Sequence, residues 1–252
     1  MIKLNSFTKK YGKDKIASDN ISFTVEPNSI TGLLGPNGAG KTTIIKAICS
    51  IHYPTSGDVF VYSKTGQQFN TSIDIEKSRR LIGYVSEIPH LYTNLSVIEY
   101  LQIMMNIWNL SHEEKNKNLE KVIKDFKIKD VLHQKINTLS KGFCQRVNFA
   151  SALIHDPEIL ILDEPSSGLD PNQIIENRNL IKNYSKNKTI LLSTHIMQEA
   201  ENLCDNVVII SEGKVLAKGS VEDIKKQTKA KNLEQAYINL TKNLSKTGVD
   251  NA

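Results

Sequence analysis

Residues Gly35-Pro36-Asn37-Gly38-Ala39-Gly40-Lys41-Thr42-Thr43 fit the pattern G-x-x-x-x-G-K-[ST], a phosphate-binding loop. The residues before it, Ile30-Thr31-Gly32-Leu33-Leu34, read as a buried strand, and those after it, Ile44-Ile45-Lys46-Ala47-Ile48, open a helix. That strand, loop and helix order is the context the motif needs. Glycine has no Cβ and tolerates positive φ, so the backbone can wrap an anion closely. The free N–H groups of the loop and helix start then face the phosphate oxygens. Lys41 can reach the β- and γ-phosphates, and the Thr42 hydroxyl can ligate Mg²⁺. A plain Gly-rich turn is the alternative, and the flanking segments disfavour it.

A chain of 252 residues is long enough for one large domain or two lobes with ample core. The net charge of +5 fits a solvated surface, and by itself it does not call for nucleic acid or an anionic membrane. Cys49, Cys144 and Cys204 are far apart, with no C-x-x-C pair for zinc or redox work, so reduced thiols are expected. Met1 to Asp19 holds no apolar run of the secretory kind. Apolar runs such as Ile159-Leu160-Ile161-Leu162 and Val207-Val208-Ile209-Ile210 are too short to span a bilayer. Any membrane role would therefore need a separate membrane partner.

Ile2 and Leu4, then Ile21, Phe23 and Val25, alternate with polar residues as half-buried strands do, with a turn at Tyr11-Gly12. Val59-Phe60-Val61-Tyr62 adds another strand, giving a small antiparallel sheet beside the phosphate loop. From Ser96 the period becomes helical, through Val97, Leu101, Met104, Met105 and Trp108, then Leu119, Val122, Ile123 and Phe126. Ser96-Val97-Ile98-Glu99 and Ser111-His112-Glu113-Glu114 fit capping boxes. The stretch 87–151 reads as an inserted helical subdomain whose Met and aromatic residues are core rather than a ligand box. Strands at Ile159–Leu162, Thr189–Ser193 and Val207–Ser211 alternate with helical segments, which implies parallel strands with crossover helices. Glu212-Gly213 reads as a hairpin turn into Val215-Leu216-Ala217. Leu233, Ala236, Tyr237 and Leu240 suggest a short amphipathic helix, and the chain beyond about Lys242 reads as disordered.

The apolar run ending at Leu162 passes straight into Asp163-Glu164. In phosphate-loop NTPases an acid at that strand end holds Mg²⁺, and a neighbouring carboxylate can polarise the attacking water. An acidic turn boundary beside Pro165 is the bland alternative.

Leu139-Ser140-Lys141-Gly142-Phe143-Cys144-Gln145-Arg146 precedes Ile159-Leu160-Ile161-Leu162-Asp163-Glu164-Pro165, then Ser167-Gly168-Leu169-Asp170 and Ser193-Thr194-His195. In that order, over about residues 1–240, the chain resembles the ABC-type ATPases. Within them it is similar to ATP-binding subunits of multidrug and gliding-motility exporters, to which the stretch Leu233-Glu234-Gln235-Ala236-Tyr237 is also similar. The resemblance implies an α/β fold: a phosphate-loop NTPase core with a mostly parallel sheet, a small antiparallel β subdomain and an inserted helical subdomain. It implies an ATP-binding domain over 1–225 and a C-terminal helix with a flexible tail over 226–252. Tyr11 resembles the aromatic residue on which adenine stacks, a turn tyrosine being its alternative. Gly35 to Thr43 would cradle the phosphates, Thr42, Glu87 and Asp163 would serve Mg²⁺, and Glu164 would be the general base. His195 resembles the switch histidine at the γ-phosphate, with a surface histidine as its alternative. Ser140 and Gly142 resemble signature groups that close on ATP held by a second protomer, and Asp170 resembles the residue linking the two sites.

Three positions depart from the family pattern. Lys141 and Phe143 stand where a second Gly and a Gln are usual, and Glu87 stands where Gln is usual. A carboxylate can still ligate Mg²⁺. The resemblance implies a homodimer sandwiching two ATP molecules, bound to a separate transmembrane permease subunit at the cytoplasmic face of the membrane. Residues around Ile88 to Tyr92 would touch the permease, unless they form an ordinary exposed loop. Nucleic acid is not expected. The competing reading is a soluble ABC-type ATPase working on ribosomes or DNA. A single phosphate loop, no long heptad run and no Cys cluster count against it. A catalytically dead binder is disfavoured by Lys41, Asp163, Glu164 and His195.

Overall fold

A computed structural model of the chain describes residues 1–12 and 15–247. Strands β1 (Ile2–Tyr11), β2 (Lys15–Val25), β4 (Ser56–Tyr62) and β5 (Gln68–Asn70) form an antiparallel sheet in the order β2-β1-β4-β5. The second sheet holds β3 (Ile30–Leu34), β6 (Ile82–Val85), β7 (Ile159–Asp163), β8 (Thr189–Thr194), β9 (Asn206–Ser211) and β10 (Lys214–Ser220). Its order is β10-β9-β3-β8-β7-β6, parallel except for the antiparallel β9–β10 hairpin. The expected α/β fold, with a mostly parallel sheet and an antiparallel companion, is therefore present.

Every residue of β3, β7 and β8 is buried. Strands covered on both faces read as continuous apolar runs rather than alternating ones. Alternate residues serve two cores. Leu33, Ile159, Ile161, Leu191, Val208 and Ile210 pack toward the antiparallel sheet and α1 (Lys41–Ile48). Leu34, Leu160, Leu162, Ile190, Leu192 and Ile209 pack toward the helical layer. That layer includes α3 (Val97–Ile107), α4 (His112–Asp125), α5 (Lys141–Leu153) and α6 (Pro171–Ser185). Both expected capping boxes are complete, at Ser96 with Glu99 and at Ser111 with Glu114. Helix α7 (Met197–Leu203) follows β8, and α8 (Val221–Thr228) with α9 (Leu233–Thr247) ends the described chain. Leu233 and Ala236 are buried under α9, which runs past Lys242 to Thr247. The expected disorder beyond about Lys242 is thus corrected as far as Thr247, because the helix continues there, and residues 248–252 lie outside the described residues.

The segment from β5 through α2 (Ile75–Arg80) to β6 had no counterpart in the sequence reading. Its elements are three, six and four residues long, too short to show a period. Strand β6 sets Glu87 beside the strand ends that carry the chemistry.

Candidate active site

The cleft lies beyond the carboxyl ends of the parallel strands, where open α/β sheets bind ligands. It measures about 490 Å³ and is lined by Tyr11, Pro36, Asn37, Gly38, Gly40, Lys41, Thr42, Thr43, Glu87, Glu164 and His195. Lys15, Ile16 and Ala17 of β2, with Glu212 and Gly213 of the β9–β10 turn, complete the wall. Residues separated by up to 202 positions, Tyr11 and Gly213, thus share one cavity.

Gly40 caps α1 in a left-handed conformation, φ +106°, and no side chain caps that helix. A Cβ on Gly40 would strike the Ala17 carbonyl, and one on Gly35 the Ile210 carbonyl. Glycine at these two positions lets the loop nestle against β2 and β9. The first-turn N–H groups of α1 lack intrahelical acceptors, so they remain available to an anion. Ala39 is buried and lies behind the loop rather than on the cleft wall.

The Lys41 ammonium donates to the Gly35 carbonyl at 2.8 Å and the Pro36 carbonyl at 3.3 Å. It also stands 3.5 Å from Glu164 Oε1, both groups being largely buried. Glu164 Oε2 lies 3.0 Å from His195 Nδ1. One carboxylate is thus held between the loop lysine and the histidine. Glu164 has φ +47°. Its N–H donates to the Ser193 carbonyl at 3.1 Å, which fixes this unusual turn of backbone.

Asp163 is buried and accepts the Ser193 hydroxyl at 2.5 Å. Burial raises its pKa above the ordinary carboxylate value. The Ser193 hydrogen bond opposes that, Glu164 adds to the rise, and Lys41 and Lys46 oppose it. A buried carboxylate facing a net uphill ionisation is a fitting ligand for a divalent cation, whose charge favours the ionised form. No cluster of three or more His, Cys, Asp and Glu side chains among the described residues could hold a metal alone. Thr42 and Glu87 line the cleft, whereas Asp163 is buried next to Glu164 and is not among the lining residues, which leaves most positions around an Mg²⁺ to phosphate and water oxygens.

Tyr11 is 38% exposed. His52 meets it edge to face at 5.8 Å, and Lys9 Nζ stands 5.4 Å from its ring centroid while donating to the Tyr53 carbonyl. Neither Lys9 nor His52 lines the cleft, so they brace the ring from behind.

Ser140 and Gly142 are not on this cleft wall. Ser140 caps α5 through the Phe143 N–H, and Gly142 lines a separate groove of about 690 Å³ between α4, α5 and α6, beside Gln173. Lys141 lies along Gly168 of the loop that precedes α6, and Asp170 caps α6 through the Gln173 N–H. Ser193, which bonds to Asp163, and Glu199, which bonds to Thr194 beside His195, have no assigned role in the sequence motifs. Ser193 sits in the quoted Ser193-Thr194-His195 run, where polar residues closing a buried apolar strand were the available signal. Glu199 offered no such signal.

A family model described as ABC transporter matches residues 18–167. The probable multidrug ABC transporter ATP-binding protein YbhF of Escherichia coli is 35% identical over 95% of this chain, which spans only 41% of that protein. A solved ATP-binding subunit of an ABC transporter superposes with TM-score 0.86 at 31% identity, over 96% of this chain and 99% of that one. The dimeric ATP-binding cassette MJ0796, in a post-hydrolysis state bound to ADP and Pi, gives TM-score 0.76 at 26% identity, over 87% and 98% of the two chains.

Proposed function

Because the chain belongs to the ABC transporter family of ATP-binding subunits, we propose that it binds and hydrolyses ATP to power a membrane transporter that exports its cargo. The observation that carries this reading is the shared cleft of the phosphate loop, Glu87, Glu164 and His195, with Tyr11 at its edge. Adenine stacks on Tyr11, the phosphates lie along Gly35 to Thr43, and Lys41 leaves Glu164 for the β- and γ-phosphates. Glu164, freed from Lys41, takes a proton from the attacking water. His195 orients that water and the γ-phosphate. Mg²⁺, when bound at Thr42, Asp163 and Glu87, supplies charge neutralisation for the phosphoryl oxygens. Positioning and charge do most of the work in such a transfer.

The separate groove beside Gly142 supports a two-chain site, in which Ser140 and Gly142 of one protomer close on ATP held by another. No helix among the described residues is long and apolar enough to cross a membrane. We place the membrane part in a separate permease, contacted at its cytoplasmic face through Ile88 and Tyr92, which are 68% and 57% exposed. The transporter names and titles of the similar proteins favour this over a ribosome or DNA role.

The test is labelled-ATP binding and phosphate release on the full chain. Lys41→Ala should lose binding. Glu164→Gln should keep binding and lose about 10²- to 10⁴-fold in release, the worth of a general base. Phosphate release undiminished in Glu164→Gln would overturn the assignment. Glu87→Ala should weaken the Mg²⁺ dependence, and an unchanged dependence would remove Glu87 from the metal site.

A further inference from the structure

Glu199 is a carboxylate only 8% exposed, in the first turn of α7, outside the nucleotide cleft. An acid there commonly folds back onto the free N–H groups of its own helix. Glu199 does not. Its Oε1 accepts the hydroxyl of Ser166, and its Oε2 accepts the hydroxyl of Thr194 at 2.8 Å. The Thr194 hydroxyl in turn accepts the Ile196 N–H at 3.1 Å, so it donates and accepts at once. Both of these partners are neutral hydroxyls. Burying a carboxylate costs free energy that such bonds only partly offset.

The location of the two hydroxyls accounts for that cost. Ser166 lies two residues past Glu164, in the turn that leaves β7. Thr194 immediately precedes His195 at the end of β8, and is wholly buried. One carboxylate therefore grips both segments that carry the reacting pair. Its grip is continuous with the other ties between these strand ends: the Ser193 hydroxyl on Asp163 and the Ser193 carbonyl on the Glu164 N–H. The Glu164–His195 contact of 3.0 Å lies between the segments laced in this way.

We propose that Glu199 is a positioning residue that sets the spacing of Glu164 and His195 by holding Ser166 and Thr194 together. This rests on the reading of Glu164 and His195 as the reacting pair. Glu199 itself does not line the nucleotide cleft. Its role belongs to the hydrolytic step and not to nucleotide capture, because Glu199, Ser166 and Thr194 do not line the cleft and bond to no residue of the phosphate loop, Thr194 meeting β3 only through backbone pairing with Leu34.

The experiment compares kcat and equilibrium ATP affinity for the full chain and its variants. Glu199→Ala is expected to lower kcat about ten- to a hundredfold, the scale of misplacing a catalytic group by about an ångström. Its ATP affinity should stay within about twofold of the parent. Ser166→Ala, which removes one hydroxyl and little volume, should lower kcat several-fold with the same unchanged affinity. It also serves where Glu199→Ala folds poorly. Adding Ser166→Ala to Glu199→Ala should cost nothing further, since the two act through one contact. Equal losses in affinity and kcat, or additive losses in the double variant, would overturn the proposal. Unchanged kcat in both single variants would also overturn it, while Glu164→Gln still abolished turnover. Turnover surviving in Glu164→Gln would instead remove the reading on which the proposal rests.

Discussion

A carboxylate held above its ordinary pKa ties stability to pH with a defined sign, and Asp163 is such a group. Between the ordinary value and the raised one, the folded chain binds more protons than the unfolded chain. Stability attributable to Asp163 is therefore complete below the ordinary value and is lost as pH rises through the raised value. Asp163→Asn removes the charge while its amide oxygen still accepts the Ser193 hydroxyl. The nucleotide-free variant should melt higher than the parent at pH 7, with the difference shrinking as the pH is lowered toward 4. Mg²⁺ with ATP should reverse the order, stabilising the parent and not the variant. Melting curves over this pH range check it, and a pH-independent difference would break the link to ionisation. The same residue shows what a sequence can and cannot display. Asp163 and Glu164 were legible because an apolar strand ran directly into them. Ser193, 30 positions away and bonded to Asp163, was not, because no local spacing marks a partner brought in by strand pairing.

Local signals also governed which elements could be read. The capping boxes of α3 and α4 involve residues three apart, so Ser96 with Glu99 and Ser111 with Glu114 declared both helix starts. The elements β5, α2 and β6 are shorter than any period that would reveal them. Gly83, in the middle of β6, is there because a Cβ would strike the Ala152 carbonyl. That close approach is a tertiary fact. The end of α3 is fixed by another one. Trp108 stacks on His155 with ring centroids 3.9 Å apart, while Arg80 donates to the Trp108 carbonyl at 3.0 Å. His155 Nε2 lies 3.1 Å from the Ile82 carbonyl, which ties the helical layer to β6. Burial pushes the His155 pKa down from its ordinary value to about 4, with Lys188 and Arg80 pushing the same way and the Ile82 bond and Asp156 opposing. Here the unfolded chain binds more protons, so stability is present at neutral pH and is lost as pH falls from about 6.5 to about 4. The loss should approach about 3 kcal/mol across that window. His155→Phe keeps the stack and removes the titration. Its stability should start lower at pH 8, by about 1 kcal/mol for the missing hydrogen bond, and stay nearly flat to pH 5. Parallel denaturation profiles for the two proteins would exclude His155 as the acid-sensitive joint.

At the scale of the whole molecule, one chain carries all but one part of the proposed catalytic apparatus at a single cleft. Tyr11, the phosphate loop, Glu87, Glu164 and His195 line it, while Ser140 and Gly142 sit on another face, with Gly142 lining a different groove. Helix α5 reaches back toward the cleft through Asn148, whose amide donates to the Ser86 carbonyl beside Glu87. If the signature groups act on nucleotide, they act on nucleotide held by another copy. That geometry makes a complementation test decisive. Lys41→Ala spoils a chain's cradle and spares its signature face. Gly142→Asp spares the cradle and places a carboxylate where the partner's γ-phosphate would approach, repelling it. Each variant alone should have little ATP turnover. In an equimolar mixture, half of the dimers formed by random pairing hold one composite site, built from the intact cradle of one chain and the intact signature of the other. Turnover should reappear on mixing and rise with total protein concentration as dimers form. A mixture no more active than its components, at concentrations where the parent chain is active, would mean that each chain completes its own site. Ser140 and Gly142 would then have to be assigned to holding α5 in place rather than to nucleotide.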